Sequence, residues 1–290
     1  MIIRESSEPV IQKYARDVKN SSELLLNIIN DILDSSKIES GMMEIVEAEY
    51  EVSSLINDLY NMISVKAKEK ELALEFDIDP DIPSKYYGDD KRIRQILLNL
   101  LSNGVKYTNQ GKVTFKVTCE KKGKNAILHY SVKDTGIGIK EEDIGKLYDE
   151  FKRLDAARNR NIEGTGLGMT IAQQFLKLMG SELQIQSEYE KGSEFSFDLV
   201  QKIVDETPIG NLREKLKESE KAKDNRICFT AIGARVLVVD DYNMNLKVFK
   251  GLVKSTGIQV SEAESGKACI QLLKEQKFDM VFLDHMMPEM

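Results

Sequence analysis

The sequence contains no long apolar run, few cysteines and few histidines. No stretch of about 18 consecutive apolar residues occurs, so we expect no membrane-spanning segment in this chain. The first ten residues, MIIRESSEPV, do not have the charged-then-apolar pattern of a secretory signal. The three cysteines, Cys119, Cys228 and Cys269, are too far apart for paired-thiol or zinc spacings, which favours a reducing, cytoplasmic setting. The only histidines are His129 and His285.

The sequence also has no excess of positive charge. Lysine and arginine total 41 residues against 48 aspartates and glutamates, which gives a formal net charge of −7. This balance argues against sequence-independent binding to nucleic acid or to anionic lipid. With 290 residues, 41% of them hydrophobic and 31% charged, the composition is that of a globular protein of about two domains.

Residues 11–35 predict one long amphipathic helix, which we expect to end near Gly41. Its seam positions recur at spacings of three and four, at Ile11, Tyr14, Val18, Ser21, Leu25, Ile28, Ile32 and Ser35. Leu24, Ile29 and Leu33 widen this heptad seam. So wide a seam favours a four-helix bundle, although the pattern also suits a lone helix packed on its own domain.

Helical and strand patterns are mixed from residue 42 to residue 200. Helices are predicted at 52–70, 89–108 and 169–180, the second capped by Asp89 or Asp90. Strands are predicted at 71–78, 112–120, 126–134, 181–189 and 193–200, with hairpin turns at KKGKN and EKGS. Hairpins interleaved with helices indicate an α+β fold, a mixed sheet with helices on one face.

The composition changes after residue 200. Residues 201–233 combine proline, glycine and mixed charge with little apolar content, which predicts a linker. Within residues 234–290, the strands ARVLVVDD, IQVSEA and FDMVFLD alternate with helical patterns. This β-α-β-α-β order predicts the start of a doubly wound parallel sheet.

Two glycine clusters suit phosphate binding: DTGIGI at 134–139 and EGTGLGM at 163–169. Successive glycines let the backbone approach a phosphate with its N–H groups, and the second cluster leads into a predicted helix N-terminus. The spacing does not fit a Rossmann fingerprint, and no Lys-Ser/Thr pair follows as in a Walker loop. A flexible surface turn explains either cluster taken alone.

The segment NLLSNGVKYT at 99–108 carries polar groups suited to a metal nucleotide. Asn99 and Asn103 are four residues apart, so they share one helix face. An amide oxygen is a hard ligand for Mg²⁺, and Lys106 can neutralise phosphate charge. A helical asparagine pair alone is usually a solvated face or a satisfied core amide, so its significance comes from its combination with the glycine clusters.

In this order, NLLSNGVKYT, DTGIGI, YDEFKR and EGTGLGM resemble the ATP-binding domain of sensor histidine kinases. That fold is shared with gyrase and the MutL-type ATPases. The resemblance covers nearly all of residues 42–200 and implies a Bergerat-type (GHKL) α/β sandwich that binds ATP with Mg²⁺. Gly104 and Tyr148 stand where the family usually has Ala and Phe, and neither change removes a ligand.

The resemblance also implies roles for individual residues. Asp134 would bond the exocyclic amine of adenine, with Gly136 and Gly138 shaping the pocket, and Asn103 would ligate Mg²⁺ beside Asn99. The residues placed near or over the phosphates would be Lys106, Tyr107, Arg153 (at the γ-phosphate), Gly164, Thr165, Gly166, Leu167 and Gly168. The implied catalytic set is Asn99, Asn103, Lys106 and Arg153, and residues 152–163 would form a mobile lid.

Residues 1–41 resemble the end of a dimerisation and phosphotransfer hairpin, specifically its second helix. The first helix of such a hairpin carries the phosphoacceptor histidine, but here no histidine precedes His129, which falls in a predicted strand. We therefore expect a fragment of a longer parent that dimerises through the hairpin. A natural variant without its own phosphoacceptor is the alternative.

Residues 234–290 resemble the N-terminal half of a response-regulator receiver domain. Asp240 and Asp241 match its acidic Mg²⁺ pair, and Asp284 matches its phosphorylated aspartate. Taken without the rest of the segment, VVDD is also consistent with a helix cap, and FLDHMMPEM is also consistent with a core strand followed by a turn. The family's later Thr or Ser and its Lys have no counterpart here. We therefore expect MVFLD to expose an apolar edge, and the segment to be unstable in isolation and unable to hold a phosphoryl group.

Together the resemblances imply the catalytic core of a hybrid sensor histidine kinase. The parent, cytoplasmic or membrane-anchored, would move the ATP γ-phosphate to a histidine and then to Asp284, acting with receiver or phosphotransfer proteins. A nucleotide-binding regulatory module that docks through the heptad seam is the alternative. Gyrase-like or mismatch-repair ATPase activity fits the glycine clusters but not the flanks, and the acidic charge disfavours nucleic acid as a partner.

Overall fold

The computed structural model describes residues 8–148, 166–212 and 229–287. The chain divides into two compact units. One is Glu23–Lys221, and the other combines Met1–Ser22 with Ala222–Met290. Within the described ranges, every helix is too short or too polar to cross a bilayer.

Helix α1 (Pro9–Glu39) is continuous over 31 residues, as the heptad seam predicted. Gly41 follows it in the left-handed conformation, at φ +68°, which ends the helix. The seam side chains are exposed to between 40% and 66%: Ile11, Tyr14, Val18, Leu25, Ile29, Ile32 and Leu33. Leu24 and Ile28 are half-buried, and in the last turns Ser35 is buried and Ile38 packs against the core of the following domain.

A seven-stranded mixed sheet and three main helices form the domain after α1. Its elements are β1 (Ala48–Glu51), α2 (Val52–Glu69), β2 (Ala73–Ile78), β3 (Pro83–Gly88), α3 (Asp90–Tyr107), β4 (Lys112–Lys122), β5 (Asn125–Asp134), α4 (Glu141–Ile144) with a 3₁₀ turn (Gly145–Tyr148), α5 (Gly168–Leu178), β6 (Gln184–Glu188) and β7 (Gly192–Pro208). The strand order is β1-β3-β7-β5-β4-β2, with β6 on β7. Among the described strands of this sheet, β2 and β4 are the one parallel pair.

The core lies between one face of this sheet and the helices. Burial alternates along the central strands: Phe115 and Tyr130 are buried, whereas Lys116 and His129 lie on the exposed face. The apolar side of α3 completes the core through side chains such as Leu97 and the other buried residues of that helix. This confirms the predicted α+β sandwich.

The strand boundaries differ from the prediction at one edge of the sheet. The linker was predicted to begin at residue 201, but β7 continues through Pro208 because it pairs with β3, for example Tyr86 with Ile203. Strands β1 and β3 were not predicted, because AEYE and PSKYYG are short and polar, and β3 begins at a proline. Tertiary pairing, rather than apolar alternation, makes them strands.

Helix α3 is capped at both ends by specific contacts. At its start the Asp89 side chain accepts a hydrogen bond from Arg92 N at 3.1 Å, so Asp89 rather than Asp90 is the N-cap. At its end Lys70 Nζ donates to the carbonyls of Val105 at 2.9 Å, Lys106 at 2.7 Å and Thr108 at 3.3 Å. A cation at a helix C-terminus is favourable both as a donor and against the helix dipole.

We expect Lys70→Met to lower the free energy of unfolding by about 1–2 kcal/mol, because three carbonyls at the end of α3 lose their charged donor. Thermal or urea unfolding of the full chain measures this change. Lys121→Met, at an exposed lysine near the end of β4, is the matched control and should leave stability unchanged. Equal stability of the two variants would contradict the capping role.

The second unit contains a three-stranded parallel sheet in the order β10-β8-β9. Its elements are β8 (Arg235–Val239), α6 (Asn243–Val253), a 3₁₀ turn (Lys254–Thr256), β9 (Gln259–Ala263), α7 (Gly266–Glu275) and β10 (Met280–Leu283). Leu246 of α6 packs with Val236 and Val238, whereas Cys269 of α7 packs with Leu237 and Val239. The helices therefore cover opposite faces, as the predicted doubly wound order requires. All four residues of β10 are exposed, as expected for MVFLD.

Candidate functional site

Helix α3 carries the predicted asparagine pair on one side. Asn103 Nδ2 donates to Asn99 Oδ1 at 3.4 Å, and both side chains are half-buried. This contact uses a donor of Asn103, so its amide oxygen stays available as an acceptor or ligand. The shared helix face expected from the spacing of four is therefore present.

The described part of the second glycine cluster lies against this pair. A Cβ on Gly168, the first residue of α5, would stand 2.7 Å from Asn99 Nδ2 and 2.8 Å from Asn99 Cγ. Gly166 has φ +77°, and Leu167 is buried. A side chain at residue 168 would therefore require the Asn99 amide to move.

Asp134 ends β5 and lies beside the same helix. A Cβ on Gly104 of α3 would be 3.7 Å from Asp134 Cβ. The carboxylate is buried and accepts a hydrogen bond from Gly136 N at 2.8 Å. Burial raises the pKa of Asp134, and the backbone N–H groups of Gly136 and Ser193 oppose that rise.

The first glycine cluster passes between the end of α3 and β6. Ile137 N donates to Tyr107 O at 3.3 Å. A Cβ on Gly136 would stand 2.5 Å from the same carbonyl oxygen, and one on Gly138 (φ +65°) would stand 2.7 Å from the Glu188 carbonyl carbon. Both positions require glycine, because no larger residue fits against these backbone atoms.

Lys106 and Tyr107 are half-buried at the last turn of α3. Lys106 Nζ lies 4.9 Å from the centre of the Tyr107 ring, within the range of a cation–π contact. Helix α3 is thus a common wall that connects the asparagine pair, both glycine clusters and Asp134. The predicted site residues Arg153, Gly164 and Thr165 and the predicted lid lie outside the described residues.

The three receiver carboxylates converge at the carboxyl ends of β8 and β10. Asp240, Asp241 and Asp284 each offer an oxygen within 4.8 Å of the others. Backbone hydrogen bonds fix two of them, from Asp240 N to Ala263 O at 3.1 Å and from Asp284 N to Val239 O at 3.0 Å. An all-oxygen, acidic donor set of this kind suits a hard divalent cation.

Two polar residues of these sites were missed from the sequence. Asn245 Nδ2 donates to both oxygens of Asp240, at 3.1 and 2.9 Å, and the acid–x–x–x–x–Asn spacing was the available signal. Thr108 is fully buried beside Gly136. It ends the segment NLLSNGVKYT, but a threonine after a helix has no distinctive pattern of its own.

Neither histidine lies on α1. His129 Nδ1 is 2.6 Å from Asp198 Oδ1, across the exposed face of β5 and β7. His285 is exposed and follows Asp284 directly. These environments agree with the sequence-based view of both as surface or structural residues.

Comparisons with known proteins match both units. Residues 88–203 match the family described as histidine kinase-, DNA gyrase B-, and HSP90-like ATPase, and residues 236–290 match the response regulator receiver domain. The aerobic respiration control sensor protein ArcB of Escherichia coli K12 is 30% identical over 282 residues, which are 96% of this chain and 34% of ArcB. The chain is homologous to hybrid histidine kinases. Over most of its length the chain is therefore similar to sensor kinases of the two-component type.

Other histidine kinases extend the comparison. The autoinducer 2 sensor kinase/phosphatase LuxQ of Vibrio vulnificus YJ016 is 32% identical over 274 residues, 93% of this chain and 31% of LuxQ. The chain therefore spans about a third of the length of these two relatives. The crystal structure of full-length ShkA in complex with AMPPNP shares the fold at a TM-score of 0.62 with 18% identity, covering 100% of this chain and 82% of that one. These findings confirm the resemblance that the motifs predicted.

Proposed function

We propose that residues 42–200 bind ATP with Mg²⁺ and transfer its γ-phosphate to a histidine that this chain does not supply. The observation that carries the proposal is the common wall formed by α3. The asparagine pair meets Gly168 on this helix, and Gly104 of the same helix meets Asp134. Groups suited to metal, phosphate and base are therefore carried by, or packed against, one helix of 18 residues.

In this proposal Asp134 recognises the adenine base through a hydrogen bond. Its buried carboxylate accepts a hydrogen bond from the exocyclic amine, and in the ionised form both of its oxygens act only as acceptors. Gly136 and Gly138 keep the wall of the pocket free of side chains, since a Cβ at either position would collide with backbone. A buried acceptor between fixed N–H donors also makes the pocket selective for a base that donates at this position.

The remaining residues of the site suit the phosphates and their metal. Asn103, with Asn99 beside it, would hold Mg²⁺ through an amide oxygen, and Lys106 and Tyr107 would contact phosphate oxygens. When bound, Mg²⁺ would offset negative charge on the phosphates. Gly166, Leu167 and Gly168 lead into the N-terminus of α5, where backbone N–H groups favour anions. We also assign Arg153, Gly164 and Thr165, which lie outside the described residues, to phosphate binding.

The transfer step is an in-line displacement at the γ-phosphorus. An imidazole nitrogen of the acceptor histidine forms the N–P bond as the bond from phosphorus to the β,γ-bridging oxygen breaks, and ADP leaves with that electron pair. Catalysis then depends on positioning and on charge stabilisation. Asn99, Asn103, Lys106 and Arg153 form the proposed catalytic set.

In the parent the phosphoryl group moves on to Asp284. A carboxylate oxygen of Asp284 forms the new O–P bond as the N–P bond of phosphohistidine breaks. Asp240, Asp241 and Asp284 would hold Mg²⁺ there, to which their three converging carboxylates are well suited. Asn245 would keep Asp240 oriented through both of its oxygens.

The exposed seam of α1 is the proposed dimerisation surface of the parent. Its apolar side chains face outward over several turns, which suits packing against further helices. The acceptor histidine would be supplied by such a helical hairpin, and receiver or phosphotransfer proteins would be the onward partners.

Incubation of the chain with γ-labelled ATP and a separate histidine-bearing helical hairpin tests this function. We expect acid-labile label on the hairpin histidine, and none when that histidine is replaced by alanine. Calorimetry with MgATP is run in parallel. ATP binding without label on any hairpin would favour the alternative, a nucleotide-binding regulatory module, and absence of ATP binding would refute both.

A further inference from the structure

A buried hydroxyl beside the base-reading carboxylate takes no part in the site as described so far. Thr108 is 0% exposed, and its Oγ1 makes no hydrogen bond to any described residue. Leaving a buried hydroxyl unpaired is unfavourable, and native proteins rarely do so without a reason. We therefore looked for a hydrogen-bond partner that this hydroxyl would gain when the site is occupied.

The surroundings of this hydroxyl point towards Asp134. A Cβ on Gly136 would stand 2.9 Å from Thr108 Oγ1 and equally 2.9 Å from Asp134 Oδ1. Thr108 Oγ1 and Asp134 Oδ1 thus border the same small space, which is the position that a Cβ of residue 136 would occupy. The space exists because residue 136 has no side chain. A hydroxyl is a donor that a carboxylate can accept, directly or through one water.

The backbone of Thr108 is held independently of its side chain. Lys70 Nζ donates to Thr108 O at 3.3 Å while also capping α3. The hydroxyl is therefore carried on a fixed backbone, so a small side-chain rotation is enough to change its partner. Asp134 already accepts hydrogen bonds from the backbone N–H groups of Gly136 and Ser193. A carboxylate has about four lone-pair positions, so it can accept further hydrogen bonds.

We propose that Thr108 is the positioning residue of Asp134, and that its hydroxyl hydrogen-bonds the carboxylate when a nucleotide with an exocyclic amine occupies the site. This inference rests on the proposed ATP-binding function. The hydroxyl holds the carboxylate in the orientation in which it accepts a hydrogen bond from the amine. It also donates a further hydrogen bond to the buried negative charge. Thr108 thereby strengthens selection of an amino-purine over a 6-oxo-purine.

The test uses Thr108→Val, which keeps the shape and removes the hydroxyl, in the full chain. We expect the dissociation constant for MgATP to rise about tenfold, and that for MgITP, which has no 6-amine, to stay within about twofold. Thr108→Ser should restore ATP affinity. The nucleotide-free melting temperature should be unchanged or higher by roughly 2–4 °C, since no hydrogen bond is lost. Thr118→Val, on the exposed face of β4, is the matched control.

If Thr108 had a purely structural role, its replacement by valine would lower the affinities for ATP and ITP together, or would change only the melting temperature. Either result overturns the proposal. So does an additive loss in the Thr108→Val, Asp134→Asn double variant, because removal of the hydroxyl should have no effect once the carboxylate is absent. Thr108→Ala gives the same ATP-to-ITP comparison if the valine variant does not fold. A wild-type chain that binds no ATP refutes the proposed function itself, whereas equal ATP binding by wild type and Thr108→Val refutes only this inference.

Discussion

Asp134→Asn is expected to weaken MgATP binding by roughly 10- to 100-fold while the domain stays folded. The substitution removes the negative charge that accepts from the adenine amine, and hydrogen bonds to a charged group are the stronger kind. Isothermal titration calorimetry of both chains measures the change in affinity.

The stability of the same variant can be predicted from the direction of the pKa shift. Burial raises the pKa of Asp134 above its unfolded value, so its favourable contribution to stability is present in acid and is lost as pH rises through the folded pKa. At neutral pH the native state therefore bears the cost of a buried charge. Asparagine carries no charge, so we expect an equal or higher melting temperature for the nucleotide-free variant.

Asp198→Asn is the matched control for this experiment. Asp198 pairs with His129 on the exposed face of the sheet, away from the α3 wall. Its substitution should change neither affinity nor folding. If Asp134→Asn bound MgATP as tightly as the wild type does, Asp134 would have no place in the nucleotide site.

Gly168→Ala is expected to have the second large effect, a loss of MgATP affinity of at least about tenfold. Its Cβ would lie within 3.0 Å of three atoms of the Asn99 side chain. The Asn99 amide must therefore move, and this breaks the hydrogen bond that orients Asn103 at 3.4 Å. The backbone of Gly168 is helical, so the conflict is steric and involves no strained φ angle.

Gly145→Ala controls for the general effect of adding a methyl group. A Cβ on Gly145 would meet no atom of a described residue within 4 Å, and its φ of −63° suits alanine. Calorimetry with MgATP and with MgADP should show Gly145→Ala unchanged. A Gly168→Ala chain with wild-type affinity for both nucleotides would mean that the asparagine pair does not position the metal nucleotide.

Much of the fold could be predicted from the sequence because its elements carry strong local patterns. The helix α3 was predicted to within one residue, since DDKRIRQILLNLLSNGVKYT combines an N-terminal acid with apolar residues at helical spacing. Strands β4 and β5 alternate apolar and polar residues, and the order of β8, α6, β9, α7 and β10 was also predicted. Strands β1 and β3 and the last residues of β7 were missed, because their hydrogen bonds come from distant segments of the chain.

The sequence alone determined the candidate groups. The spacing of Asn99 and Asn103 implied a shared helix face, and two glycine clusters with one aspartate implied close backbone approach around a nucleotide. Only the tertiary structure decided which atoms meet: Gly168 on Asn99, Gly104 beside Asp134, and Thr108 Oγ1 over Gly136. The physical reason is that spacing within one element is fixed by helix and strand geometry, whereas contacts between elements depend on how their buried faces pack.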